Sequence, residues 1–269
     1  MSVLAKFKLL PEVTAFLKGS PFPGFVGGKD FPGTGTALIA THDPGSGEKI
    51  ADIHDMTAPD VDRAVDAANK AFPHWAALSQ KDRGAILSRL ADLVQARKNI
   101  IAQIEALEAG KIEAQAQGDV QNFVDTMRYF VKLAEGVQVR TKLDVPGHEA
   151  HTCKQPWGAC GFIFPWNFPF LLIGWGISPA LAAGNTVVIK PAEDTSLSAN
   201  GVLVVSLRFL PPAPLSVTAY MPGLNVSRSD EHVRLGIVPF GRRHFTRRAA
   251  GRGSQGGKDS VRPFLKFVK

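Results

Sequence analysis

The chain has 269 residues, 45% hydrophobic and 20% charged, which suits one large or two modest globular domains with a real core and excludes fibrous and low-complexity classes. Its two cysteines, Cys153 and Cys160, make no disulfide framework, and "MSVLAKFKLLPEV" lacks the apolar core and cleavage site of a secretion signal, so the sequence predicts a reducing cytoplasm. The net charge of +7 is unevenly placed: residues 1–200 carry 19 Lys and Arg against 21 Asp and Glu, whereas residues 201–269 carry 12 against 3.

Residues 25–53 read as short strands and turns, because "VGGKDFPGTG" and "HDPGSGEKIADI" place Gly and Pro between apolar pieces. A helix is predicted over "TAPDVDRAVDAANKAF". Thr57 caps it, Pro59 and Asp60 suit its first turn, and Val61, Ala64, Val65, Ala68 and Phe72 form one apolar face. A second, longer helix is predicted from Ser79 to a stop at Gly110, and a third from about Ile112 to Ala134. "VQVRTKLDV", the turn "PGHEA" and "HTCKQPWG" read as a β-hairpin. The strand "ACGFIF", a helix from about Phe168 to Ala183 and the strand "TVVIK" then form a right-handed βαβ unit, the mark of an α/β sheet.

No charge occurs between Lys154 and Lys190, but Pro165, Asn167, Pro169 and Pro179 interrupt the apolar run. A membrane span of about 20 unbroken apolar residues is therefore not predicted. His148, His151, Cys153 and Cys160 lack metal-ligand spacing, so no metal site is predicted. "GSQGGKDS" fails the phosphate-loop pattern. The Arg-rich tail lacks the interleaved aromatics of a nucleic-acid surface, and its non-periodic, Gly-rich composition predicts disorder.

Asn167 is the one polar amide within "GFIFPWNFPF". Two readings stand. It caps the following helix by accepting a backbone N–H, or it donates to a developing oxyanion at the carboxyl end of a strand, where ligands of open α/β sheets bind. Lys190 and Glu193 end the next strand, so both strand ends can face one ligand.

"GFIFPWNFPF" followed by "PALAAGNTVVIKPAEDTSLSA" closely resembles the aldehyde dehydrogenase superfamily, and "HDPGSGEKIADI" and "EALEAGKIEAQAQGDVQNFVDTMRYF" resemble its N-terminal half in the right order. The resemblance covers roughly residues 20–200. It implies an α/β fold: the N-terminal part of the aldehyde dehydrogenase fold, an incomplete Rossmann-like cofactor domain with an oligomerisation hairpin, and no catalytic domain. Residues 1–136 would be its N-terminal helical part, 137–157 the hairpin, 158–200 the first βαβ unit, and 201–269 a divergent basic tail.

The resemblance further implies oxidation of an aldehyde to an acid with NAD (NADP being the other option), by cysteine thiolate attack, hydride transfer and thioester hydrolysis in the full-length enzyme, and a homo-oligomer built through the hairpin. Asn167 would donate to the thiohemiacetal oxyanion. Ile163, Phe164 and Trp166 would line the cofactor cleft, Lys190 and Glu193 would bind the adenine ribose, and Phe168, Leu172 and Trp175 would face the aldehyde tunnel. On packing alone the last three read equally well as core.

The departures are specific. Neither cysteine lies in a "GQxC"-like context, and the "LELGG"-like glutamate and the Gly-Ser-Thr turn at the pyrophosphate are missing. Gly176 stands where many relatives carry lysine. The other reading is therefore a non-enzymatic assembly or cofactor-binding module. The shift from lysine to arginine after Asn200 predicts that residues from about Gly201 onward come from another reading frame or splice, and that the outer edge of "TVVIK" is left without a strand.

Overall fold

The computed structural model describes residues 8–200, 218–222 and 242–248. Helix α1 (Pro11–Leu17) precedes four short strands, β1 (Gly24–Val26), β2 (Lys29–Phe31), β3 (Leu38–His42) and β4 (Lys49–His54). Helices α2 (Ala58–Ala77), α3 (Gln80–Ala96), α4 (Lys98–Ala109) and α5 (Glu113–Glu135) follow. Next come the hairpin β5 (Arg140–Val145) and β6 (His148–Gln155), then β7 (Ala159–Ile163), α6 (Pro169–Ala182) and β8 (Thr186–Lys190). Two further strands are β9 (Thr218–Tyr220) and β10 (Arg242–Arg248).

Local chemistry accounts for most boundaries. The Asp60 carboxylate accepts the Thr57 N–H (2.9 Å) and hydroxyl (2.7 Å) and the Thr34 N–H, securing the start of α2. Burial raises the Asp60 pKa, yet these donors outweigh it and hold the carboxyl below its ordinary value. The helix predicted over the stretch ending at Phe72 continues through Pro73. The helix runs to Ala77, anchored by the buried Trp75, whose indole N–H donates to Leu181 O at 3.1 Å.

The single long helix expected from Ser79 to Gly110 is two. Arg97, at φ −109° and ψ 13°, breaks it without any Gly or Pro. The break lets one amphipathic run serve two cores. Leu87, Leu90 and Val94 of α3 enter the main core, while Ile104 and Leu107 of α4 enter a second one with Val13, Phe22 and Ile53. Gly110 ends α4 as expected, at the left-handed φ of 67°, where a Cβ would also meet Pro44 Cγ at 2.7 Å.

The main sheet has the order β2-β1-β9-β8-β7. Strands β7, β8 and β9 are parallel, with Ile163 opposite Lys190, and β1 runs antiparallel to β9. The expectation that β8 lacks an outer partner is thus corrected, because β9 occupies that edge. The predicted disorder of residues 201–269 falls mostly outside the described residues, but β9 and β10 lie within that stretch. The hairpin forms as predicted with a tighter turn, since His148–Ala150 already belong to β6, and β10 pairs with its other edge. The predicted βαβ unit is β7–α6–β8.

Helix α6 packs closely against α5, where Phe123 and Phe170 stack at 4.7 Å. A Cβ on Gly174 would lie 2.8 Å from Phe123 Cδ2 and 3.0 Å from its Cα. The backbone contact cannot be relieved by a rotamer change. Gly174→Ala should therefore destabilise the chain by about 1–3 kcal/mol in urea denaturation.

Candidate active site

The carboxyl ends of β7 and β8 are joined by the Phe164 N–H, which donates to Lys190 O at 2.9 Å. The loop 164–168 crosses from there to the first turn of α6. Asn167 is exposed on this loop, and its amide has no partner among the described residues. The capping reading of Asn167 does not hold, because the N-cap of α6 is Phe168. Lys190 Nζ meets Glu193 Oε1 at 2.6 Å, with side chains 10% and 39% exposed. The pair lies at the same strand ends as the Asn167 loop, one accessible carboxylate and one largely buried ammonium.

The apolar residues divide. Ile163 is exposed, Trp166 is 62% exposed, and Phe168 and Trp175 are also open. Leu172 is half-buried against the main core. Phe164 turns inward and is 7% exposed, so only its backbone reaches the cleft side. Gly176 permits that turn, since a Cβ there would lie 2.7 Å from Phe164 Cζ. The lysine of many relatives would not fit beside this Phe164.

Several residues that position the loop escaped sequence reasoning. Lys111 Nζ bonds Asp119 at 2.6 Å and Glu105 at 2.8 Å, and it lies 4.4 Å from the centroid of the Phe168 ring. Burial pushes the Glu105 carboxyl up, opposed by the bond and charge of Lys111 and by the nearby Phe170 N–H. Trp175 Nε1 donates to Asn122 Oδ1 at 2.7 Å. The only signal for these groups was polar side chains breaking the apolar pattern of "EALEAGKIEAQAQGDVQN".

The segment after Glu193 is clamped from below. Glu108 accepts the N–H groups of Leu197 (2.6 Å) and Ser198 (2.9 Å), and Asn200 Nδ2 donates to Pro23 O at 2.8 Å. Cys160 is buried in β7 and Cys153 lies in the hairpin, and burial raises the Cys160 thiol pKa. Among the described residues, no cluster of His, Cys, Asp or Glu suits a metal ion, and no helix is long and apolar enough to cross a membrane.

The sequence profile of the aldehyde dehydrogenase family matches residues 32–223. The chain belongs to that family. It is 37% identical over 246 residues to retinal dehydrogenase 2 of Taeniopygia guttata, covering 89% of this chain and 47% of that protein. It is 42% identical over 211 residues to retinaldehyde dehydrogenase 3 of Mus musculus, covering 75% and 40%. Among solved structures, a putative aldehyde dehydrogenase from Burkholderia cenocepacia superposes with a TM-score of 0.71 at 36% identity, covering 76% of this chain and 42% of that one. Betaine aldehyde dehydrogenase from Staphylococcus aureus in complex with NAD+ gives 0.73 at 26%, covering 79% and 42%.

This chain of the aldehyde dehydrogenase family thus spans somewhat less than half the length of the relatives it matches, and its fold is the N-terminal part of theirs. The family match extends to Gly223, beyond Asn200.

Full burial pushes the Glu108 carboxyl up to about 8 from an ordinary 4.5, against the pull of the Ser198 and Leu197 donors. A carboxyl whose pKa is raised in the folded state costs stability as it ionises, so stability should fall as pH rises from about 4.5 to about 8. Urea denaturation of this aldehyde dehydrogenase chain across that window should show the decline, and Glu108→Gln should flatten it.

Proposed function

We propose that the chain supplies the cofactor-binding and oxyanion-stabilising part of an NAD-dependent enzyme that oxidises an aldehyde to a carboxylic acid. The unpartnered amide of Asn167, beside the Lys190–Glu193 pair, is the observation that carries this reading. An amide N–H with no competing partner is available to an oxygen that gains negative charge. The loop beneath it is held by buried contacts, so little reorganisation is needed. Phe168, Leu172 and Trp175 form the apolar wall along which an aldehyde reaches Asn167.

The donor set fits part of a dinucleotide. Lys190 donates and Glu193 accepts, which matches the two adjacent hydroxyls of an adenine ribose, and Ile163 and Trp166 offer apolar surface at the neighbouring strand end. The exposed carboxylate disfavours a 2′-phosphate, so NAD is preferred over NADP. When bound, the nicotinamide accepts the hydride. Binding by this chain is weak, because its sequence has no Gly-Ser-Thr turn to hold the pyrophosphate. The hairpin, with Val145 exposed, is the surface for homo-oligomer assembly, and a cytoplasmic setting suits the two free thiols.

A second reading rests on the cysteines. Neither Cys153 nor Cys160 is placed at Asn167, so the chain alone binds cofactor or assembles without turnover. Two measurements separate the readings. In an assay with a panel of aldehydes and NAD, an enzyme built on this chain should lose about 10²–10³ in kcat with Asn167→Ala. An unchanged rate would overturn the oxyanion role, and NAD binding without any turnover favours the second reading. In calorimetric titration, Glu193→Gln should raise affinity for NADP relative to NAD. Tight NADP binding by the unaltered chain would contradict the assignment of Glu193.

A further inference from the structure

At the amino ends of β7 and β8, opposite the Asn167 end of the sheet, lies a cavity of about 430 Å³. That volume falls in the range of small-molecule sites, about 300–1,000 Å³. Leu78, Phe130, Leu133, Val139, Trp157 and Pro179 form its apolar walls. Among the described residues its charged lining is Arg83 and Lys154, with no carboxylate. Ser79 and Gln80, at the positive end of the 17-residue α3, face it as well.

Arg83 is only 7% exposed and pairs with no carboxylate among the described residues. Its Nε donates to Ala182 O at 3.3 Å, and its Nη1 donates to the carbonyls of Ala76 and Leu78. Its Nη2 has no partner among the described residues. A buried cation balanced only by peptide dipoles is an incomplete electrostatic arrangement. The carbonyls take up the Nε–H and both Nη1–H groups, so Nη2 is left to meet one oxygen of an anionic head group, and a singly charged carboxylate costs less to bring into an apolar cavity than a doubly charged phosphate.

We propose that this cavity binds a small carboxylate with an apolar tail. The head group sits with Arg83 and Lys154, and the tail lies along the Phe130, Leu133 and Val139 wall. This site is separate from the Asn167 loop and does not depend on turnover there.

The test uses the intact chain, with decanoate as the probe and decanol as its uncharged counterpart. Calorimetry should show saturable decanoate binding, with decanol at least about tenfold weaker, the difference made by a hydrogen-bonded charge. Binding should change tryptophan fluorescence, and Trp157→Phe should remove that change. Lys154→Gln should weaken decanoate about threefold, as expected for an exposed ion pair. Leu133→Trp fills the cavity from a position 41% exposed and should abolish binding while circular dichroism melting stays cooperative. Equal affinity for decanol, or no decanoate binding by the folded chain, would overturn the proposal. So would a self-associating chain that Leu133→Arg makes monomeric while decanoate leaves it unaffected, since the groove would then be an interface between copies.

Discussion

One ammonium group holds the candidate site in place. Lys111 follows the left-handed Gly110 directly, so the chain reversal that ends α4 also carries its side chain between Glu105 and Asp119. Removing water from three charges is costly, and the single ammonium of Lys111 is what offsets both carboxylates. Loss of one partner from such a buried group typically costs about 3–5 kcal/mol. The same ammonium sits against Phe168, and Phe170 stacks on Phe123 two residues later. Helices α4 and α5 and the Asn167 loop therefore share one buried charge system. The loop is fixed from its inner side, which leaves the amide on its outer side free to bond a ligand.

The two ends of the parallel strands carry opposite kinds of order. At the carboxyl ends, polar groups face outward beside exposed aromatic rings. At the amino ends, polar groups turn inward to complete the backbone. Asn185 accepts the N–H groups of Trp157 and Gly158 and donates to Ala180 O. Arg83 gathers carbonyls from the ends of α2 and α6. At the amino ends the same groups that complete the backbone, Arg83 above all, also border the cavity between α3 and the hairpin.

What could be read from the sequence was whatever has a local cause. The capping role of Thr57 and Asp60, the stop at Gly110, the hairpin and the βαβ unit all follow from residues within a few positions of one another. The Arg97 break was invisible because the apolar period continues through it, and residues beyond it, such as Ile104 and Leu107, join a second core. The inward turn of Phe164 depends on Gly176, twelve residues away. The partners of Lys111 come from two helices, and β9 follows a stretch whose composition had already changed. Asn167 was found through its unusual surroundings, whereas the groups that hold its loop look like ordinary helix-surface charges in the sequence.

The pairing of β1 with β9 has a consequence for synthesis. The first strand of the main sheet has its neighbour near the end of the described chain, and the bond from Asn200 to Pro23 already spans 177 residues. At a ribosomal rate of about 5–20 residues per second, the N-terminal strands wait roughly 10–40 s for that partner. During this interval the β1–β2 ribbon has an unpaired edge and Phe25 lacks part of its final surroundings. The helices α2 to α5 can pack meanwhile, since their contacts are close in sequence. The N-terminal strands are thus the segment most in need of a chaperone as the chain emerges, although they are made first.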